Sequence, residues 1–338
     1  MIPRRAILTT PLLLAAQEAK FRIAVLGTEH GHVRGFLNAA KLRQDFEIIG
    51  PISFEDRNKL RTEKAEAIAS FTSTDRHLEC ARLAADLKLP LMMEKPLATT
   101  NEDARQIAKL SAAAGIPIFV NFETTWYKSH GELWRFFKEQ NAAGKIRKMV
   151  AMDGHQGPRE IGVGNDFFEW LTDPVRNGAG ALFDFGCYGA NLMTWMMDNQ
   201  RPLRVMASTK QNKPQIYAKV DDEATIVVEY ESAQGIIEGS WNWPFSRKDF
   251  EVYGEKAYAH AYGGNSVRRR KAGEKTEETF APVDLKADEA DSISYLKAIA
   301  RGKLKPAGLS SLENNVIATE ILVAARQSAK NGKQVKLR

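Results

Sequence analysis

Cysteine is scarce: Cys80 and Cys187 are the only two in 338 residues. That is too few for a disulfide framework, and neither stands in a CxxC pair or in a His/Cys cluster with metal-ligand spacing, so no metal site is expected. Long apolar runs are lacking too. Residues 6–16 are apolar but too short to span a bilayer, and nothing further along approaches a membrane span, so no membrane partner is expected. Positive charge is not concentrated either. Forty-eight basic against 42 acidic residues leave a net charge of +6, and the one dense basic run, residues 268–271, leads straight into the acidic "AGEKTEE". That run is expected to be a solvated loop, which leaves no nucleic-acid surface.

What is present begins with a leader. "MIPRRAILTTPLLLAAQEA", residues 1–19, has Arg4 and Arg5 ahead of a short apolar run and then a polar step, the layout of a twin-arginine export signal. Export to the periplasm is the expectation, a cytoplasmic location the alternative. The remainder, in a chain 43% hydrophobic and 27% charged, is long enough for two cores.

From Lys20 the pattern alternates strand and helix. "FRIAVLG", "FEIIG", "AIASFTS", "LPLMM" and "IPIFVNF" read as apolar strands, with helices expected at about 30–43, 55–67, 75–88 and 100–114. The last has a capped, acidic start at Thr99 or Thr100 with Glu102 and Asp103, and a stop at Gly115. Alternation of this kind predicts a Rossmann-like parallel sheet over residues 20–122, with ligands at the carboxyl ends of its strands. Pro51 cannot donate to a central ladder, and there is no room for another strand between 55 and 67, so the second strand is expected at the sheet edge. Residues 123–338 read as an α+β domain: "RKMVAMDGHQG", "LRVMASTKQ", "EATIVVEYES", "GIIEGSWNWPF" and "KDFEVYGEKAYAHAYG" follow one another without long helices, predicting an open, mainly antiparallel sheet. An amphipathic helix over 310–330 opens on Ser310 with Glu313. An exposed sheet face suits self-association as a homodimer or homotetramer.

The first strand ends in "LGTEHGHVRGF". A dinucleotide site would place G-x-G-x-x-G here, and the match is partial: Gly27 and Gly31 flank Thr28, Glu29 and His30. His30 and His32 lack a third ligand in the sequence pattern, so substrate or phosphate contact is expected of them instead. At the end of the second strand stands Ser53, followed by Arg57 and Lys59, where an NAD-selective fold would carry an acid; this tilts the cofactor toward NADP over NAD.

Taken together, "GTEHGH", "FTSTDRH", "EKPLATT" and "GAGALFDFGCYGANL" resemble the Gfo/Idh/MocA oxidoreductase family over essentially the whole chain after the leader. The resemblance implies a two-domain NAD(P)-dependent enzyme acting on a CH–OH group of a sugar, polyol or similar molecule. It places Lys95 at the reacting hydroxyl, Glu94 and Pro96 at the turn that presents it, and Thr72, Ser73 and His77 beside the cofactor. The family usually has histidine where this chain has Tyr188, a departure shared with the glucose-fructose oxidoreductase and dihydrodiol dehydrogenase subset, in which tyrosine is the acid/base. Asp184, Tyr188 and Asn191, at helical spacing, would share one face. A nearby ammonium lowers a phenol's pKa, so Lys95 and Tyr188 are expected to act as a pair, with Asp184 holding the lysine or a substrate hydroxyl.

Trp126, Tyr127, Trp170, Trp241 and Trp243 are aromatic candidates for a sugar face, with core packing the simpler role for each tryptophan. His155, flanked by glycine in "DGHQGP", is a candidate substrate contact. Two other readings remain open: redox-assisted glycoside cleavage on the same fold, and a non-catalytic binding protein with a degenerate cofactor site.

Overall fold

The computed structural model describes residues 19–337. Of the export signal read over residues 1–19, residues 1–18 lie outside the described residues.

The first half is a five-stranded sheet built from β1 (Phe21–Leu26), α1 (Val33–Lys41), β2 (Phe46–Ile52), β3 (Ala67–Ser70), α2 (His77–Leu87), β4 (Leu91–Glu94), α3 (Asn101–Ala114) and β5 (Ile118–Asn121). The order is β2-β1-β3-β4-β5, all pairs parallel, with β2 at the edge. β3, β4 and β5 are mainly apolar and buried on both faces, as is β1 apart from half-buried Arg22, as a sheet covered by helices requires. β2 is buried only at Phe46, Ile49 and Ile52 and otherwise partly or fully exposed, which suits its edge position. The helix expected over 55–67 is corrected to a single 3-10 turn, Arg57–Arg61. In that turn only Leu60 is buried, so no apolar stripe exists to hold a longer helix. α3 starts where the sequence placed it: Thr100 Oγ1 accepts the Asp103 N–H, and Gly115 closes the helix in the left-handed region at φ 67°.

The second half adds α4 (Lys128–Trp134), β6 (Ile146–Gly154), α5 (Asn165–Leu171), α6 (Ala181–Asp184), α7 (Gly186–Met196), β7 (Arg204–Lys210), β8 (Glu223–Glu229), β9 (Gln234–Ser240), β10 (Arg247–Gly254), β11 (Ala257–Tyr262), β12 (Ser266–Lys271), β13 (Glu278–Phe280), α8 (Ser292–Ala300), α9 (Leu312–Asn331) and β14 (Val335–Lys336). Nine strands form one sheet in the order β13-β12-β11-β10-β6-β9-β8-β7-β14. Its pairs are antiparallel except β6 with β9, which run parallel. The basic run 268–271 is corrected from loop to strand: it lies in β12, paired with β11 and β13, and Arg269 is matched by Glu278 across the ladder. α9 is capped by Ser311, whose hydroxyl accepts the Asn314 N–H, one residue later than expected.

α8 returns to the first sheet, where Ile293, Tyr295, Leu296 and Ile299 share a core with Phe21, Val25, Met92 and Phe119. α7 lies so close to the large sheet that a Cβ on Gly189 would come within 2.6 Å of Ile237 Cγ2 and 2.9 Å of Ala151 Cβ. Gly189→Ala should therefore cost about 1–3 kcal/mol through overpacking, read as a lower urea midpoint with an unchanged slope. No helix among the described residues is long and apolar enough to cross a membrane.

Candidate active site

The carboxyl ends of β1 and β4 face the inner surface of the large sheet across a cavity of about 540 Å³, lined among others by His30, His32, Lys95, His155, Asp184, Tyr188 and Lys248. A second cavity of about 490 Å³ shares Gly31, His32 and Glu123 with it and continues along α1 to Asp291 and Ile293. His32 and Glu123 stand at the join. Ligands are expected at such strand ends.

Lys95 is 5% exposed, and its peptide to Pro96 is cis. Its Nζ donates to Asp184 Oδ1 at 2.5 Å and to the Asp184 carbonyl at 3.0 Å. The other Asp184 oxygen accepts Trp241 Nε1–H at 2.9 Å. Burial would pull the lysine down and push the aspartate up, but their mutual attraction wins: Lys95 is held above its ordinary value and Asp184 below. The pair is ionised at neutral pH, which makes Lys95 a fixed cation rather than a base.

Tyr188 sits between two ammonium groups. Lys95 Nζ is 5.1 Å from its ring centroid, while Lys248 Nζ is 4.4 Å from the centroid and donates to the phenol oxygen at 3.4 Å. The expectation of a phenol acidified by Lys95 is corrected on both counts. The lysine is committed to Asp184, and burial, followed by the Glu123, Cys187 and Asp184 charges, holds the phenol well above its ordinary value. Tyr188 keeps its proton at neutral pH.

Lys248 escaped the sequence reading. It lies on β10, opposite Asp153 on β6, and forms an ion pair with Glu123. Glu123 also accepts the Tyr127 hydroxyl at 2.5 Å. Asp153 is 1% exposed, and its Oδ2 has no partner. Burial pushes its carboxyl well above the ordinary range, only partly opposed by Lys248 and reinforced by Asp249. A raised carboxyl stabilises the fold fully below the unfolded value near 3.9, and that contribution is lost as pH rises toward the folded pKa. Asp153→Asn should therefore raise the urea midpoint at pH 7, with the gain shrinking toward pH 3.

Glu94, fully buried, orders the floor. Oε1 accepts Asn121 Nδ2–H at 2.7 Å, and Asn121 Oδ1 in turn accepts Trp126 Nε1–H at 2.9 Å. Oε2 lies 3.0 Å from His32 Nδ1 and 4.0 Å from His30 Nε2. The expectation that no third ligand meets the two histidines is thus corrected: candidate atoms of His30, His32 and Glu94 lie within 4.8 Å of one another. His30 Nδ1, however, accepts the His32 backbone N–H at 3.2 Å. That bond leaves the His30 proton on Nε2, so the atom turned toward Glu94 carries a hydrogen rather than a lone pair. Among the described residues, Glu94 Oε2 is within hydrogen-bond distance of His32 Nδ1 alone, and His30 Nε2 stays buried without a partner.

The other residues expected at the site divide. His155 lines the main cavity, with Nδ1 accepting the Gly157 N–H at 2.9 Å and its ring edge-on to Phe185; burial holds the imidazole below its ordinary value. Trp126 lines the second cavity. Asn191 does not reach either one: its amide donates to the Leu309 carbonyl and to Asn315, joining α7 to α9. The break at Phe185 between α6 and α7 takes Asp184 off the face that helical spacing implied. Thr72 is buried against Ser70 and Cys80, Ser73 takes a bond from Arg176, and His77 holds the Leu97 carbonyl beneath the Lys95 turn. Ser53 pairs with Asp56, and Arg57 with Glu79 and the Phe54 carbonyl. Trp170 spans the crevice, donating from Nε1 to the Glu29 carbonyl at 3.1 Å. Trp241 is wholly buried and serves Asp184.

The turn after β1 tests whether a dinucleotide fits. Gly27 takes φ 78°, and the Thr28 N–H points at an anion, the Glu29 carboxylate, 2.8 Å away. One backbone N–H of the loop thus holds negative charge, the kind of contact a phosphate would take. The occupant is the far end of a flexible side chain, so the residues fit the group once Glu29 swings aside.

Comparison with known proteins supports the fold. Residues 115–260 match the family model of the GFO/IDH/MocA C-terminal domain. Among solved structures, the chain resembles an inositol dehydrogenase homolog complexed with NAD+ from Azotobacter vinelandii, at 20% identity and TM-score 0.76, over 95% of this chain and 98% of that one. It also resembles an aldose-aldose oxidoreductase from Caulobacter crescentus complexed with glycerol, at 16% identity and TM-score 0.74, covering 94% and 100%. A third is an oxidoreductase from Agrobacterium radiobacter in complex with NAD+, L-tartaric acid and magnesium, at 17% identity and TM-score 0.75, covering 94% and 98%. A search of curated protein sequences finds no match.

Proposed function

We propose that this chain, a member of the Gfo/Idh/MocA family by its C-terminal domain and two-domain fold, is a nicotinamide-dependent oxidoreductase acting on a hydroxyl-bearing carbon of a small polyhydroxylated molecule. The observation that carries this reading is the convergence of the Lys95 ammonium and the neutral Tyr188 phenol on one cavity at the carboxyl edge of the parallel sheet. Similar proteins crystallised with NAD+, glycerol or tartrate support the cofactor and the size of the substrate.

The bound nicotinamide would supply the hydride chemistry. The residues of this chain do the rest. Lys95, fixed by Asp184, donates a hydrogen bond to the reacting oxygen and stabilises negative charge there. Tyr188 gives its proton to that oxygen as a carbonyl is reduced, and Lys248 Nζ, 3.4 Å away, stabilises the phenolate left behind. His155 and the rim of the large sheet contact the remaining hydroxyls. At the adenosine end the preference is for NADP: Arg57 lies 4.4 Å from the Phe54 ring centroid, and no carboxylate replaces Ser53 at the end of β2. Self-association through the outer face of the large sheet, where Met206 and Tyr262 are exposed, would complete the assembly and is tested by light scattering.

Mass spectrometry of the supernatant after denaturing the purified protein tests the cofactor directly. A nicotinamide dinucleotide mass, or saturable binding of added NADPH or NADH, is expected. Absence of both would remove the reading.

A further inference from the structure

The dinucleotide fingerprint carries glycine at its second conserved position so that a diphosphate can lie against the backbone. This chain has Glu29 there, and its carboxylate fills the space the missing side chain would have left open. Oε2 bonds the Thr28 N–H at 2.8 Å and would be 2.6 Å from a Cβ on Gly27, so it lies over the glycine turn itself. Oε1 is held by Arg76 Nη1 at 2.9 Å, while Arg76 Nη2 keeps Glu55 at 3.0 Å. The Glu29 backbone is fixed from the other half of the molecule by Trp170. Only the side chain is free to move.

We propose that Glu29 is the resident anion of the diphosphate seat, a built-in competitor that sets how tightly this chain holds its dinucleotide. The inference rests on the cofactor reading above and adds to it a specificity-determining residue. Two like charges cannot share one set of N–H donors. A diphosphate therefore enters only as the carboxylate leaves Thr28, and the leaving carboxylate frees Arg76 Nη1 while Arg76 stays anchored by Glu55. Arg76 then changes partner from carboxylate to phosphate, which guanidinium geometry favours. Affinity in the native chain is the difference between these two anions, so removing the resident one should tighten binding.

The test is calorimetric titration of full-length wild type, Glu29→Gln and Glu29→Ala with NADP+, NAD+ and inorganic pyrophosphate, each variant first matched to wild type by thermal melting. The expected order of affinity for pyrophosphate and for the preferred dinucleotide is wild type, then Glu29→Gln, then Glu29→Ala, with at least a tenfold gain at the end of the series. Unchanged or weaker binding in both variants would overturn the proposal. Because glutamine keeps the shape and loses the charge, a folding defect in the alanine variant does not spoil the comparison. If pyrophosphate tightens as expected while neither dinucleotide binds any form, the seat assignment stands and the oxidoreductase reading falls.

Discussion

Lys95→Met should lower activity sharply and also weaken the fold, and the two losses should separate in a double variant. Methionine matches the lysine stem in volume, so packing around the turn is kept. What is left behind is the Asp184 carboxylate, buried with Trp241 Nε1–H as its remaining side-chain donor. Breaking a buried ion pair from one side costs about 3–5 kcal/mol, because the surviving charge is uncompensated. Loss of the ammonium that faces the reacting oxygen should lower kcat/KM by about 10²–10³-fold. Adding Asp184→Asn neutralises the stranded charge, so Lys95→Met/Asp184→Asn should recover most of the urea midpoint and none of the activity. Recovery of both would mean that the pair is structural and that Lys95 takes no part in the reaction.

Tyr188→Phe should behave differently. The ring keeps its contacts with Phe122 and Phe185, at centroid distances of 5.5 and 6.1 Å, so the fold at pH 7 is nearly unchanged. The loss is the proton donor, about 10²–10⁴-fold in rate. Stability at high pH moves the other way. The folded phenol is held well above its unfolded value near 10, so its stabilising contribution is fully present below pH 10 and is lost as pH rises toward the folded pKa. Unfolding monitored from pH 8 to 11.5 should show wild type falling faster than Tyr188→Phe. Parallel curves would contradict the buried, neutral phenol on which the proton-donor role depends.

How much of this was legible beforehand follows from which interactions are local. Apolar strands alternating with helices, Pro51 at an edge and the Thr100 cap are encoded within a few residues, and they appear where periodicity and turn chemistry put them. The meeting of Lys95, Asp184 and Tyr188 in one cavity came from motif resemblance, because nothing in local spacing joins residue 95 to 184. The partners within that cavity were not legible. Lys248 and Asp153 face each other only through the register of β6 with β10, which a single sequence does not fix. The same holds for Glu94 beneath His30 and His32, which depends on β4 lying two strands from β1 with the loops converging above them. Asn191 failed for the opposite reason: helical spacing was correct for α7, but Phe185 breaks the helix from Asp184, and α9 offers the asparagine a better partner than the cavity does. The basic run at 268–271 was misplaced because its acidic neighbours are cross-strand partners in a hairpin rather than company in a loop.

A reduced nicotinamide is expected in the crevice beside Lys95 and Tyr188, close to Trp126 and Trp170. Energy transfer from tryptophan to NADPH measures this directly in the full chain. Saturable quenching near 340 nm is expected, with enhanced emission from the reduced ring, reversed by excess NADP+ and diminished by Trp126→Phe. A flat titration with both NADPH and NADH, in wild type and in Glu29→Ala alike, would contradict it.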